Sequence, residues 1–291
     1  MEQLDEMNIL IDADSLYFRC CMATQKKHEV RKAVKNMLKE IETECGIFSN
    51  PKLWIAIKGQ GNFRYDVAEN YKGQRKELEE KIKLCLAYAH EHLQEEYGAI
   101  RCDGMEADDM VAIWAWECIR ERKPYVVVHI DKDLNMIPGA HYNFVKRQHY
   151  MVDYQQAHST FLKQILTGDT ADNIPGVRGI GPKKSEKLLE GVAFDRMWQK
   201  VKEQWTDKKQ MEVSARLLWM ATSQEEVDKA NAPVMERLEA KTLDEFWLGK
   251  QEESDEDDEQ PCESETSECE QDVREEGEGN VQDPGLREVS E

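Results

Sequence analysis

The chain has 291 residues, 40% of them hydrophobic, with a formal net charge of −20. Length and apolar content suffice for a real core. An acidic N-terminus (MEQLDEMNIL) and the lack of any apolar run of about 18 residues argue against a signal peptide or membrane span, so the chain is expected to be soluble and cytoplasmic. Eight cysteines without a CxxC pair or zinc-ligand spacing read as reduced thiols, mostly core filler.

In chain order, NILI (8–11), LWIAI (53–57) and YVVVHI (125–130) are short β-branched runs that read as buried parallel strands. Helical stretches lie between them. The clearest is 107–119, where Ala107, Met110, Val111, Trp114, Ala115, Cys118 and Ile119 make one apolar stripe. This alternation predicts an α/β fold, a mainly parallel sheet with helices on both faces. Residues 64–94 begin with aromatic and basic side chains and continue into a helix. They are expected to form a long excursion above the sheet edge.

Residues 161–191 read as helix, glycine loop and helix, with Pro182 at a first helical position. Tryptophans and leucines from 194 to 249 predict helices packed on the body. Residues 250–291 hold 18 Asp/Glu against 3 Lys/Arg, a net of −15, leaving −5 for residues 1–249. That tail is expected to be disordered. Its bland role is to keep the chain soluble.

Open parallel sheets bind ligands beyond the carboxyl ends of their strands. Strand 8–11 runs into Asp12 and Asp14, strand 125–130 into Asp131 and Asp133, and the turn Asp103–Gly104 into Glu106, Asp108 and Asp109. Acids so dense repel one another unless hard cations neutralise them, and oxygen-only clusters favour Mg²⁺ or Mn²⁺. Two such ions can activate water and stabilise the leaving oxygen of a phosphodiester. Taken singly, each acid is as readily a helix cap, a turn former or a solvated charge. Likewise the glycine loop, with Lys183 and Lys184, suits a phosphate backbone or is an ordinary turn, and Arg64, Lys72, Arg75 and Lys76 otherwise form a solvated basic face.

The segments ILIDADSLYFR, NFRYDVAENYKGQR, RCDGMEADDMVA, HIDKDL and TGDTADNIPGVRGIGPKKSEKLL together resemble the structure-specific 5′-nucleases of the flap endonuclease superfamily. The chain is most similar to the bacteriophage 5′→3′ exonucleases and the 5′-nuclease domain of bacterial DNA polymerase I. The resemblance implies a PIN-like 5′-nuclease core over 1–157 with a helical arch at about 60–100. A helix-three-turn-helix DNA-binding subdomain would follow over 158–249, then the acidic tail over 250–291.

It also implies that Asp12, Glu106 and Asp108 hold one Mg²⁺, supported by Asp109. Asp131, Asp133 and Asp172 would hold a second, with Asp169 in an outer shell, and Mn²⁺ can substitute. Arg19, Tyr71, Lys72 and Arg75 would meet the scissile phosphate and terminal nucleotides, Lys72 stabilising the transition-state charge. Gly176, Gly179, Gly181, Lys183 and Lys184 would grip duplex DNA, and the 176–181 loop would bind K⁺ through its carbonyls. The implied partner is DNA with a free 5′ end, flap or nick, met by a monomer, and the acidic tail would then compete with DNA or bind basic replication proteins.

One departure stands out. The family usually carries an Asp directly after the strand corresponding to LWIAI, and here Lys58 occupies that place. It leaves open a DNA-structure-binding protein on a disabled nuclease site; a further class is a PIN-type ribonuclease, in which the glycine loop is not expected.

Overall fold

The β-branched runs form the centre of a six-stranded sheet. The structure, a computed structural model, describes residues 6–24, 26–46 and 50–248, so the acidic tail over 250–291 lies outside the described residues. Strands β1 (Glu6–Asp12), β2 (Asn50–Lys58), β3 (Ile100–Cys102), β4 (Tyr125–His129), β5 (Gly139–Asn143) and β6 (Gln148–Val152) lie in the order β3-β2-β1-β4-β5-β6. All neighbours are parallel except β5 and β6. The antiparallel hairpin was not expected, because GAHYN and QHYMV are too polar to read as buried strands.

Alternation along each strand sorts two cores. Ile9, Ile11, Ile55, Ile57, Val126 and Val128 face helices α1 (Ala13–Ala23), α2 (Lys27–Gly46) and, beyond α3 (Arg64–Val67), α4 (Glu80–Tyr97). Leu10, Ala56 and Val127 face α5 (Ala107–Arg120), which contributes Ala107, Val111, Ala112 and Trp114. Burying each such Val, Leu or Ile contributes about 1.5–3 kcal/mol. Helices thus cover both faces, as expected.

The helical arch expected at about 60–100 needs correction. Residues 80–97 form α4, whose Cys85, Ala89 and Leu93 are buried with α1 and α2 instead of rising above the edge. An apolar stripe of this kind has to be covered, and the sheet-side helices cover it. What remains over the edge is the non-helical span 68–79, exposed from Gly73 onward.

Helices α6 (Tyr154–Thr167), α7 (Pro182–Leu189), α8 (Phe194–Gln204), α9 (Lys208–Leu218), α11 (Val234–Arg237) and α12 (Leu243–Leu248) share a third core, while α10 (Gln224–Asp228) places Val227 in the core of α5. Trp247 stacks on Trp219 at 5.7 Å and on Trp116 of α5 at 5.1 Å, tying these helices to the sheet layer. Among the described residues no helix is long and apolar enough to cross a membrane, and the six described cysteines are free thiols.

Candidate active site

Each acid reaches the sheet edge by one local logic: a strand ends, the chain turns, and the first free N–H groups of a helix need an acceptor. Asp12 ends β1 and caps α1, accepting from the Asp14 N–H at 3.1 Å and the Ser15 hydroxyl at 3.2 Å. Asp131 follows β4 and accepts from the Asp133 N–H at 2.9 Å, opening a short 3-10 helix over Lys132–Met136. Glu106 precedes α5. Capping does not withdraw these acids: Asp12, Glu106, Asp108 and Asp131 line one cleft of about 370 Å³. Because β1 lies between β2 and β4, that cleft sits where the strand order reverses, the usual ligand position in such sheets.

Asp14 lines the same cleft, accepting from the Tyr17 hydroxyl and from the Lys58 N–H, both at 2.8 Å. The sequence places it at the strand end but does not mark it as a ligand, because an acid in a first helical turn is commonplace.

Cations arrive from the span after α3. Tyr71 donates to Glu106 Oε2 at 3.1 Å and to Asp172 Oδ2 at 3.2 Å. Lys72, at φ +55°, donates its N–H to the Asp172 carbonyl, and its ammonium pairs with Glu106 and stands 3.6 Å from Asp172 Oδ2. Arg75 also pairs with Asp172. Asp172, expected beside Asp131 and Asp133, is thus linked to Glu106 through Tyr71 and Lys72. Asp133 is held from α6 by Gln164, and Asp169 closes the turn before Asp172 by accepting from the Ala171 N–H at 2.8 Å.

Asp109, expected to support the first ion as one of the catalytic residues, does not line the cleft, which corrects its placement as a catalytic group and leaves it a support. It is 0% exposed and chelated by Arg64, itself 3% exposed, through Nη1 at 2.5 Å and Nη2 at 2.9 Å. Its Oδ2 also accepts from the Glu106 N–H at 3.1 Å, so it positions Glu106 from behind. Arg64 is therefore no part of a solvated basic face: it donates to the Leu217 and Trp219 carbonyls and joins α5 to the C-terminal helices.

The glycine loop also divides. A Cβ on Gly176 would lie 2.2 Å from the Thr167 carbonyl carbon, so Gly176 is a packing glycine against the end of α6. Gly179, at φ +80°, and Gly181, before α7, face open space, and Lys183 and Lys184 are exposed beside them. Arg19 is exposed on α1, away from any described acid within ion-pair distance.

Residues 7–163 match the family model described as 5′-3′ exonuclease, N-terminal resolvase-like domain. The chain belongs to this 5′-3′ exonuclease family. It is 29% identical over 178 residues to flap endonuclease Xni of Shewanella piezotolerans, covering 56% of this chain and 66% of that one. The 5′-3′ exonuclease of Mycoplasma pneumoniae is 27% identical over 213 residues, covering 62% and 71%. DNA polymerase I of Deinococcus radiodurans is 28% identical over 204 residues, and there the chain spans only 20% of the relative's length. In fold it matches a T5 5′-exonuclease solved with bound zinc, at a TM-score of 0.60 and 19% identity, covering 79% of this chain and 98% of that one.

In this exonuclease-family cleft the charges are poorly matched as they stand. Burial, then the Asp14 charge, pushes Asp12 up to about 7. Burial, with Glu106 and Asp109, holds Asp108 well above the ordinary carboxylate range, and burial with Asp131 pushes Asp133 up to about 6. Glu106 behaves oppositely: burial raises it, but Arg64 and Lys72 outweigh that and leave it lowered. Among the described residues no three His, Cys, Asp or Glu side chains are gathered closely enough to hold an ion in their present positions. The donors nevertheless suit a hard divalent cation in kind: all are carboxylate oxygens, from buried Asp12 to exposed Asp131, and Asp12 and Asp108 lack a cationic partner of their own.

Proposed function

We propose that the chain is a divalent-metal-dependent 5′→3′ exonuclease and flap endonuclease, hydrolysing DNA phosphodiesters near 5′ ends in phage-type replication, repair or recombination. The observation that carries this reading is one cleft in which carboxylates from the ends of β1 and β4 and the start of α5 face Lys72 and Arg75. Relatives named flap endonuclease and 5′-3′ exonuclease support it, as does a T5 flap endonuclease of similar fold solved with DNA and metal ions.

Asp12, Glu106 and Asp108 would hold one ion and Asp131, Asp133 and Asp172 the other, with Asp169 behind them. The ions, Mg²⁺ or Mn²⁺, supply Lewis-acid neutralisation of the phosphate and an activated water. Lys72, held over the Tyr71 ring at 5.0 Å, donates to the scissile phosphate, and Arg75 offers its planar fork to the same group. Span 68–79 and Arg19 select the free 5′ end. Residues 158–248 grip the duplex, with amides and carbonyls of the 176–181 loop and Lys183 and Lys184 on its backbone. A K⁺ ion on the loop carbonyls belongs to the same reading.

A second reading, a DNA-binding protein without cleavage, rests on Lys58, whose side chain lines the cleft beside Asp14. Both are tested by offering a 5′-flap duplex, the same duplex with a bulky 5′ block, and single-stranded RNA. The nuclease reading predicts short 5′ products from the free flap and strong suppression by the block. Binding without products, with cleavage gained in Lys58→Asp, selects the second reading; preference for RNA selects a ribonuclease.

A further inference from the structure

The loop bearing Asp131 and Asp133 is braced by buried polar side chains that the proposed reaction does not use. His129 ends β4 and His141 lies in β5; their rings, 1% and 0% exposed, meet with Nε2 and Nδ1 at 2.8 Å. At one end of this pair His129 Nδ1 lies 2.5 Å from the Asp131 carbonyl oxygen, and at the other His141 Nε2 lies 2.8 Å from that of Ile137. Tyr150 of β6 stacks on His141, with ring centroids 5.2 Å apart. Its hydroxyl lies 3.1 Å from His129 Nε2 and donates to Asn135 Oδ1 at 2.9 Å.

Residues 131, 135 and 137 of one loop are thus each fixed by a hydrogen-bonding partner from the β4-β5-β6 side of the sheet. Polar chains in a core cost desolvation that apolar side chains of the same volume avoid. With one proton on each ring, both N–H groups go to the loop carbonyls and the Tyr150 hydroxyl goes to Asn135, so the three side chains fix the loop at three points. Here the geometry fixed is the backbone from which two carboxylates of the cleft depart, and partners behind metal ligands commonly change metal affinity by about 10–100-fold.

We propose that the His129–His141–Tyr150 chain is the positioning element for Asp131 and Asp133 and sets the affinity of one of two divalent-ion sites. This rests on reading those acids as metal ligands. The test is Mn²⁺ binding to the full chain without DNA, followed by electron paramagnetic resonance. Wild type is compared with Tyr150→Phe, His141→Asn, Asp131→Asn and the Asp131→Asn/Tyr150→Phe pair. Tyr150→Phe keeps the ring, so its melting curve stays near wild type and separates positioning from loss of fold.

Both network variants are expected to weaken one class of Mn²⁺ sites about tenfold or more while sparing the other. In the Asp131→Asn background Tyr150→Phe should add nothing. Wild-type Mn²⁺ affinity in both network variants, or equal weakening of both classes, overturns the inference alone. A wild type that takes up no Mn²⁺ overturns the reading of the acids, and the inference with it.

Discussion

Lys72 and Asp109 show how far identity and role can separate for charged residues in one motif-rich stretch. Lys72 sits in the cleft against Glu106 and Asp172, where an ammonium can meet a phosphate. Lys72→Met should lower single-turnover flap cleavage by about 10²–10³-fold, the usual cost of losing one preorganised donor, with flap binding measured separately to show the loss lies in the chemical step. An unchanged rate contradicts the role. Asp109 instead belongs to the scaffold with Arg64. Removing one member of so buried a pair leaves an uncompensated charge, so Arg64→Ala should cost about 3–5 kcal/mol in urea unfolding. Arg64→Ala/Asp109→Ala should cost less than the sum of the single changes. The sequence makes both residues visible, but a pairing across 45 positions leaves no periodic trace.

At the scale of elements, the parallel strands and their terminal acids were legible because β-branched runs end abruptly in Asp. The β5-β6 hairpin was not, since its polar residues belong to a network that only the folded sheet assembles. The arch is misleading for a related reason: Leu78, Ile82, Cys85, Leu86, Ala89 and Leu93 make a stripe in the sequence, but the α1 and α2 surface that covers most of it exists only in the fold. Histidines in these elements predict an acid sensitivity. Burial pulls His141 and His158 down to about 4, whereas an unfolded chain takes up those protons near pH 6.5. Between those values the unfolded state binds more protons. Stability is therefore full above about pH 6.5 and is lost as pH falls towards 4, by about 3 kcal/mol per histidine. His158, between Phe194 and Phe246 at 4.5 and 4.6 Å with Nδ1 unpartnered, is the cleaner probe. His158→Phe should flatten the fall of Tm with acidification, and an identical pH profile would assign the loss elsewhere.

For the whole molecule, the formal charge of −20 proved a poor guide, because most of it belongs to a stretch outside the described residues. Within the folded body the informative charge is local: three strand-to-helix junctions converge at one edge. That convergence was legible from strand ends, whereas the linking of Glu106 to Asp172 by Tyr71 and Lys72 required the fold. The central claim is that these carboxylates serve divalent cations in hydrolysis at a 5′ end. The most direct test is cleavage of a 5′-end-labelled flap with Mg²⁺, with Mn²⁺ and with EDTA, by wild type and by Asp131→Asn. Short 5′ products that require the metal and vanish in Asp131→Asn are predicted. Cleavage that persists in EDTA, or in Asp131→Asn at the wild-type rate, would contradict the account.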